Sequence, residues 1–359
     1  MISKHLEKIF RSPEMYYDRK KFTRLDKNER IKPFSKKTLE ELKKFIFSDM
    51  LQTYPSNKKK LSHLISIKEK INKEYINIIP GSDSGIKYIF EVFTNKSKRE
   101  MASIFPTYGM INVYAKIYKY KFHKITFNNN VENNLKKLFK KKGISFIYIA
   151  NPNQPSGRYF NKKKILNIIK MAKQKNIFVL IDEAYIDFSK YNSMSLFVKK
   201  FYNLIVLKTF SKSYGLAGLR IGYFIANKKF NKIINAVRPT FDVSHFSIKA
   251  AEYFLMNKQI SNSYIHEVKK SKKFLINECK KRNLKYIDTE TNFFYIRIPN
   301  NQIKKIYKFM FKNKILIRTN FFENFKDLNN SIRITVGNIY LMKRFFKFFD
   351  KIYKERIVL

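Results

Sequence analysis

The chain has 359 residues, 44% of them hydrophobic, which is length enough for two domains and apolar content enough for a substantial core. Its 75 Lys and Arg residues against 27 Asp and Glu give a formal charge of +48. The basic residues are spread along the chain (58–60, 136–142, 162–164, 269–273) rather than gathered in one stripe, which argues against a nucleic-acid-binding protein and leaves attraction of small anions as the remaining consequence.

Residues 1–20 are charged throughout and lack the apolar core of a signal peptide. Residues 1–44 read as an N-terminal arm that must dock elsewhere. A large domain is expected over 45–235. Its apolar runs at 101–105, 145–150, 177–182, 204–208 and 221–226 lack strict alternation, so they read as strands buried on both faces. Helical patterns at 109–119, 131–142 and 161–175 separate them. That succession predicts an α/β fold with a mostly parallel sheet flanked by helices. Residues 236–359 read as a smaller α+β domain: one long helix over 248–282, strands at 292–298, 315–318 and 331–335, and helices at 301–313 and 338–354. Cys279 is the one cysteine, which excludes a disulfide framework and a cysteine-based metal site. No run of 18 apolar residues occurs. The expectation is a cytoplasmic protein without a metal, a membrane or a nucleic-acid partner.

Ligands of open parallel sheets bind beyond the carboxyl ends of the strands. After the run at 145–150 comes NPNQPSG (151–157), after 177–182 comes DEAY (182–185), and after 204–208 comes TFSKSYGLAGLR (209–220). A lysine amine forms a Schiff base with an aldehyde, a protonated pyridine nitrogen takes a carboxylate partner, and a phosphate takes amides, hydroxyls and an arginine. Those are the handles of pyridoxal phosphate. Lys212 would hold the aldehyde carbon and Asp182 the pyridinium nitrogen. Tyr185 would hydrogen-bond the ring's phenolic oxygen. Ser211 and Arg220 would hold the phosphate, with Thr209 beside them. The GxxGxxxG spacing of GLAGLRIG does not match a dinucleotide loop. Arg333 sits in an apolar strand, where an anion, either a structural carboxylate or the substrate, must meet it.

With these motifs in order, the chain resembles the histidinol-phosphate aminotransferase family of fold-type I pyridoxal-phosphate enzymes. LDKNE (25–29), TYPS (53–56), PGSDSGI (80–86), PTYGM (106–110), ILIR (315–318) and SIRITVG (331–337) are similar to further elements of that family. The resemblance implies a homodimer in which Tyr54 reaches the partner's cofactor phosphate. It implies that Ser82, Asp83 and Ser84 cradle the phosphate at a helix N-terminus, that Tyr108 stacks on the pyridine, and that Arg318 and Arg333 bind the substrate's anionic groups. The chain departs from the family in having Gln154 where Asn is usual, in the pocket segment 238–250 with Asp242, Ser244 and His245, and in Lys208 where Arg is commoner. The implied activity is transfer of an amino group, with glutamate as donor, to a small phosphorylated carbonyl compound, imidazole acetol phosphate being the first choice. Another phosphorylated or sugar-pathway acceptor, or decarboxylation of a phosphorylated amino acid, would use the same motifs.

Overall fold

The computed structural model describes residues 4–9, 17–55, 58–94, 99–128, 130–319 and 328–354. The uninterrupted apolar runs form the interior of one seven-stranded sheet. Its strands are β2 (Ile76–Ile79), β3 (Glu100–Phe105), β4 (Lys121–Thr126), β5 (Ile144–Ala150), β6 (Phe178–Asp182), β7 (Leu204–Thr209) and β8 (Gly222–Ile225), following a short β1 (Thr23–Arg24) outside it. The order is β2-β8-β7-β6-β5-β3-β4. Only β8 runs against the others, being antiparallel to both β2 and β7. Two strands were not legible as apolar runs: β2 has four residues, and β4, KFHKIT, is a half-exposed edge strand in which lysines interrupt the apolar positions.

Helices α1 (Lys36–Lys43), α2 (Ser48–Gln52), α3 (Lys59–Glu69), α4 (Gly81–Val92), α5 (Gly109–Ile117), α6 (Val131–Leu138), α7 (Lys162–Lys173), α8 (Lys228–Val237) and α9 (His245–Met256) accompany the sheet. Several begin at a side-chain cap; Asn161, Asn227 and Ser244 each accept a hydrogen bond from the amide three residues on. Ile86, Ile89 and Phe90 of α4 are buried against the sheet, and at about 1.5–3 kcal/mol per buried side chain they fix where that helix starts. The apolar core around the sheet extends to Leu255 at the end of α9.

The expected single helix over 248–282 is two. It breaks at Asn257, which caps α9 and precedes α10 (Lys258–Lys281). The Asn257 side-chain amide donates to the Tyr253 carbonyl at 2.9 Å, so the side chain competes with the helical ladder. A three-stranded antiparallel sheet of β9 (Tyr286–Ile287), β10 (Phe293–Arg297) and β12 (Ser331–Thr335) follows, with α10, α11 (Asn300–Lys312) and α12 (Ile339–Lys354) and a second apolar core. The N-terminal segment docks there. β1 pairs in parallel with β11 (Ile315–Leu316), and the Thr335 amide donates to the Leu25 carbonyl at 2.8 Å.

The sheet register sets the site. Ala150 pairs with Asp182, Asp182 with Leu207, and Thr209 with Gly222. The segments following β5, β6 and β7 therefore leave the sheet side by side at one end.

Candidate active site

Helix α4 starts without a side-chain cap, at Pro80. Its first-turn amides therefore face outward without an internal acceptor, and the helix dipole adds a partial positive charge there. Gly81 has φ +81°, and a Cβ at this position would come 3.0 Å from Arg220 Nη2. Glycine thus permits both the turn and the approach of the guanidinium to the helix N-terminus. Arg220 itself has a left-handed backbone, with φ 46°. Among the described residues it makes no ion pair and donates only to the Ala217 carbonyl, at 3.2 Å. Ser211 completes this wall. Its Oγ accepts from the Thr209 hydroxyl at 3.0 Å, while Thr209 accepts from the Ser211 amide, so the Ser211 proton points elsewhere. Uncapped amides, a guanidinium without a carboxylate and a serine hydroxyl make a cradle for a phosphate.

Asp182 ends β6 and is more than nine-tenths buried. Its Oδ2 accepts from the Tyr148 hydroxyl at 2.6 Å and its Oδ1 from the Ala184 amide at 3.0 Å. Burial raises its carboxyl above the ordinary value, and those two hydrogen bonds and the Lys212 charge only partly offset this. A cation in the cleft would therefore be strongly favoured beside it. Tyr148 was not singled out from the sequence. Its signal is a tyrosine in a strand that is otherwise apolar except for Ser145, on the same face as Ala150, the register partner of Asp182.

Lys212 extends across the turn between β7 and β8. Its Nζ lies 3.4 Å from the Lys27 carbonyl and 3.3 Å from that of Asn28, and 5.6 Å from the Tyr185 ring centre. The Asn28 side-chain amide donates to Tyr185 Oη at 3.0 Å, so the N-terminal segment reaches both residues. The Tyr108 hydroxyl donates to Asp83 Oδ1 at 3.3 Å and the Tyr114 hydroxyl to Oδ2 at 3.0 Å. Burial, then the charges of Asp83 and Asp182, push the Tyr108 hydroxyl far above its ordinary range, so it stays a neutral donor.

These groups face one open cleft with about 580 Å³ of atom-free space. Ser82, Asp83, Tyr108, Gln154, Asp182, Tyr185, Ser211, Lys212 and Arg220 all line it. The remaining expected residues lie outside its lining. Ser84 is one residue further into α4, and Thr209 acts on Ser211 from beneath. Tyr54 is 74% exposed and stacks on Phe241 at 4.7 Å; Ser56 of the same motif is outside the described residues. Arg333 is buried and donates to the Asp26 carbonyl at 2.7 Å. Arg318 is exposed, and its backbone pairs with that of Arg333. Although the residue as a whole is exposed, partial loss of water around its guanidinium, then the neighbouring Arg333 charge, lower that group below its ordinary value. Two cations so placed favour an anion between them.

The model of the family described as aminotransferase class I and II matches residues 29–348. The chain belongs to the aminotransferase class I and II family. It is thus a pyridoxal-phosphate-dependent transaminase of fold type I. A histidinol-phosphate aminotransferase of Buchnera aphidicola subsp. Cinara cedri is 35% identical over 278 residues, 74% of this chain and 75% of that one. Another from Clostridium botulinum is 30% identical over 348 residues, 94% of this chain and 95% of that one. Among solved structures, the histidinol-phosphate aminotransferase of Clostridium acetobutylicum superposes with a TM-score of 0.82 at 22% identity, covering 92% of this chain and 99% of that one. The L-threonine-O-3-phosphate decarboxylase of Porphyromonas gingivalis reaches 0.77 at 20% identity, with 92% and 99% covered. At such identities these structures show the fold alone. The cleft of this aminotransferase fits its cofactor on its own terms: the phosphate cradle, the buried acid Asp182 and the Lys212 amine line one wall-to-wall space.

Proposed function

We propose that this aminotransferase moves an amino group between glutamate and imidazole acetol phosphate, giving histidinol phosphate. The observation that carries the site assignment is the convergence of Lys212, Asp182, Tyr185 and the Arg220 cradle on one cleft. The substrate is supported by the names of the relatives at 35% and 30% identity.

The α4 amides, Ser82, Ser211 and Arg220 would hold the cofactor phosphate, with Asp83, Ser84 and Thr209 supporting them. Tyr108 would pack on the ring, Asp182 would hold the pyridinium proton, and Tyr185 with Gln154 would serve the phenolic oxygen. When bound, pyridoxal phosphate supplies an electron-withdrawing ring beside the substrate's Cα. Lys212 would hold its aldehyde carbon. The Lys212 Nζ, when not holding the cofactor, would be placed to carry a proton as base and then acid. Arg333 and Arg318 bind the donor carboxylate or the acceptor phosphate, with a fork geometry suited to either. Gln154 is one methylene longer than the usual Asn, so its hydrogen bond to the phenolic oxygen would be altered or lost.

The same reading makes the enzyme a cytoplasmic homodimer in which Tyr54, exposed on its own subunit, reaches the partner's phosphate. It divides the chain into an arm (1–44), a cofactor-binding domain (45–235) and a small domain (236–359). The test is glutamate formation from 2-oxoglutarate with histidinol phosphate as amino donor. Turnover supports the substrate assignment. Release of carbon dioxide from O-phosphothreonine without turnover of histidinol phosphate would replace it with the decarboxylase reading.

A further inference from the structure

Behind the cleft lies a charged cluster that the transamination reading does not use. Lys208 Nζ donates to both Glu69 oxygens, at 3.1 and 2.9 Å, and lies 3.3 Å from Glu183 Oε2. Glu69 also accepts from the Tyr223 hydroxyl at 2.8 Å and the Ser195 hydroxyl at 2.9 Å. Glu183 accepts from the Ser193 hydroxyl at 2.5 Å and the Met194 amide at 2.7 Å. Lys68, beside Glu69 at the end of α3, lies 3.6 Å from Asp187 Oδ1 and 5.4 Å from the Tyr214 ring centre. Three of these five charges, Glu69, Glu183 and Lys208, are almost wholly buried, with 4, 1 and 6% of their side chains exposed. Charges at that depth cost several kcal/mol each before pairing. An apolar core would avoid that cost.

The cluster's contacts point to what it holds. The Ser213 hydroxyl, on the residue after Lys212, donates to Asp187 Oδ2 at 2.5 Å. Tyr214 is covered by Lys68. Asp187 is two residues beyond Tyr185, and Glu183 directly follows Asp182. Burial acts to raise the Asp187 carboxyl, but Lys68, Lys208 and the Ser213 hydroxyl outweigh it and hold the group below its ordinary value. Asp187 therefore stays ionised, and its bond to Ser213 is charge-assisted.

We propose that Ser213 and Asp187 are positioning residues that tie the backbone carrying Lys212 to the turn carrying Tyr185, with the charged cluster anchoring both to α3 and β7. The inference rests on reading Lys212 as the lysine that holds the cofactor. A lysine amine stands on a flexible four-carbon stem, so its reach is set only if its own backbone is fixed. Misplacement of a reacting group by about 1 Å costs on the order of 10²-fold in rate. A merely structural contact would stabilise the fold without setting the Lys212–Tyr185 relation.

The experiment uses the full chain reconstituted with pyridoxal phosphate, as wild type and as Ser213→Ala, Ser213→Thr, Asp187→Asn and Lys212→Ala. The readouts are the cofactor's dissociation constant and the pH midpoint of the visible band of lysine-bound cofactor. Ser213→Ala and Asp187→Asn are expected to raise the dissociation constant about tenfold and to move the midpoint by about half a unit or more. Ser213→Thr keeps the hydroxyl and is expected to stay near wild type on both. A lowered melting temperature of the cofactor-free protein with unchanged midpoint and affinity overturns the proposal. If Asp187→Asn does not fold, the Ser213 pair decides alone. Retention of the band by Lys212→Ala would overturn the underlying site reading, which separates that failure from failure of the positioning role.

Discussion

Replacing Lys208 by methionine keeps the length of the side chain and removes its charge. In the wild-type protein the ammonium group lies within 3.3 Å of oxygens from two carboxylates. Without it, Glu69 retains Lys68 at 3.4 Å and two hydroxyls. Glu183 keeps one hydroxyl and one amide but, among the described residues, no cation partner. Breaking a buried ion pair from one side costs about 3–5 kcal/mol, a large share of the roughly 5–15 kcal/mol by which a domain is stable. The cost has a pH signature. Burial already raises the Glu183 carboxyl, with Lys208 the first of the groups opposing it, so the variant raises it further. An acid whose folded-state pKa is raised destabilises the fold as pH climbs above its unfolded value of about 4.3. Urea unfolding followed by circular dichroism should therefore show a loss of about 3–5 kcal/mol at pH 8 and a smaller loss near pH 5.5. A loss under about 1 kcal/mol at pH 8, or one equal at both pH values, would refute the reasoning.

Three further outcomes are expected. Tyr148→Phe removes a donor from the buried Asp182 carboxylate, and should weaken cofactor binding about tenfold by spectroscopic titration, as the loss of a hydrogen bond to a charged group requires. Asp182→Asn should still bind the phosphate but lower kcat by about 10²-fold or more, measured by glutamate formation, because the pyridinium loses its counter-charge. At low pH the stability that Glu69 and Asp187 contribute should be lost. Burial opposes ionisation of Glu69 and Asp187, but Lys208 and Lys68 outweigh it and hold both carboxyls below their ordinary values. The stability they contribute is present above about pH 4.3 and is lost as pH falls through the folded-state values, so acid titration of the melting temperature should fall steeply only below that point.

The sheet was legible where strands are buried on both faces, because β5, β6 and β7 carry unbroken apolar runs. It was illegible where a strand is short or half exposed, as in β2 and β4. The break at Asn257 lay inside one amphipathic pattern, and only the side-chain bond to Tyr253 reveals it. The cleft was legible because three successive strands end in chemistry-bearing turns, which supply six of the nine expected residues that meet there; Ser82, Asp83 and Tyr108, from the segments after β2 and β3, came from the family resemblance. Tyr148, Tyr114 and Asn28 were missed as site residues. Each acts through another residue, on Asp182, Asp83 and Tyr185 respectively, and such pairings depend on register and docking rather than on spacing. Arg333 was expected to meet an anion; the structure adds a carbonyl partner, that of Asp26, from the docked N-terminal segment.

The most direct test of the account is the absorbance spectrum of the purified protein with pyridoxal phosphate, before and after glutamate. The account predicts a visible band that disappears in Lys212→Ala and that gives way in wild type to the near-ultraviolet band of the aminated cofactor. A band that survives in Lys212→Ala, or that glutamate leaves unchanged, would contradict the assignment of Lys212 and of glutamate as donor.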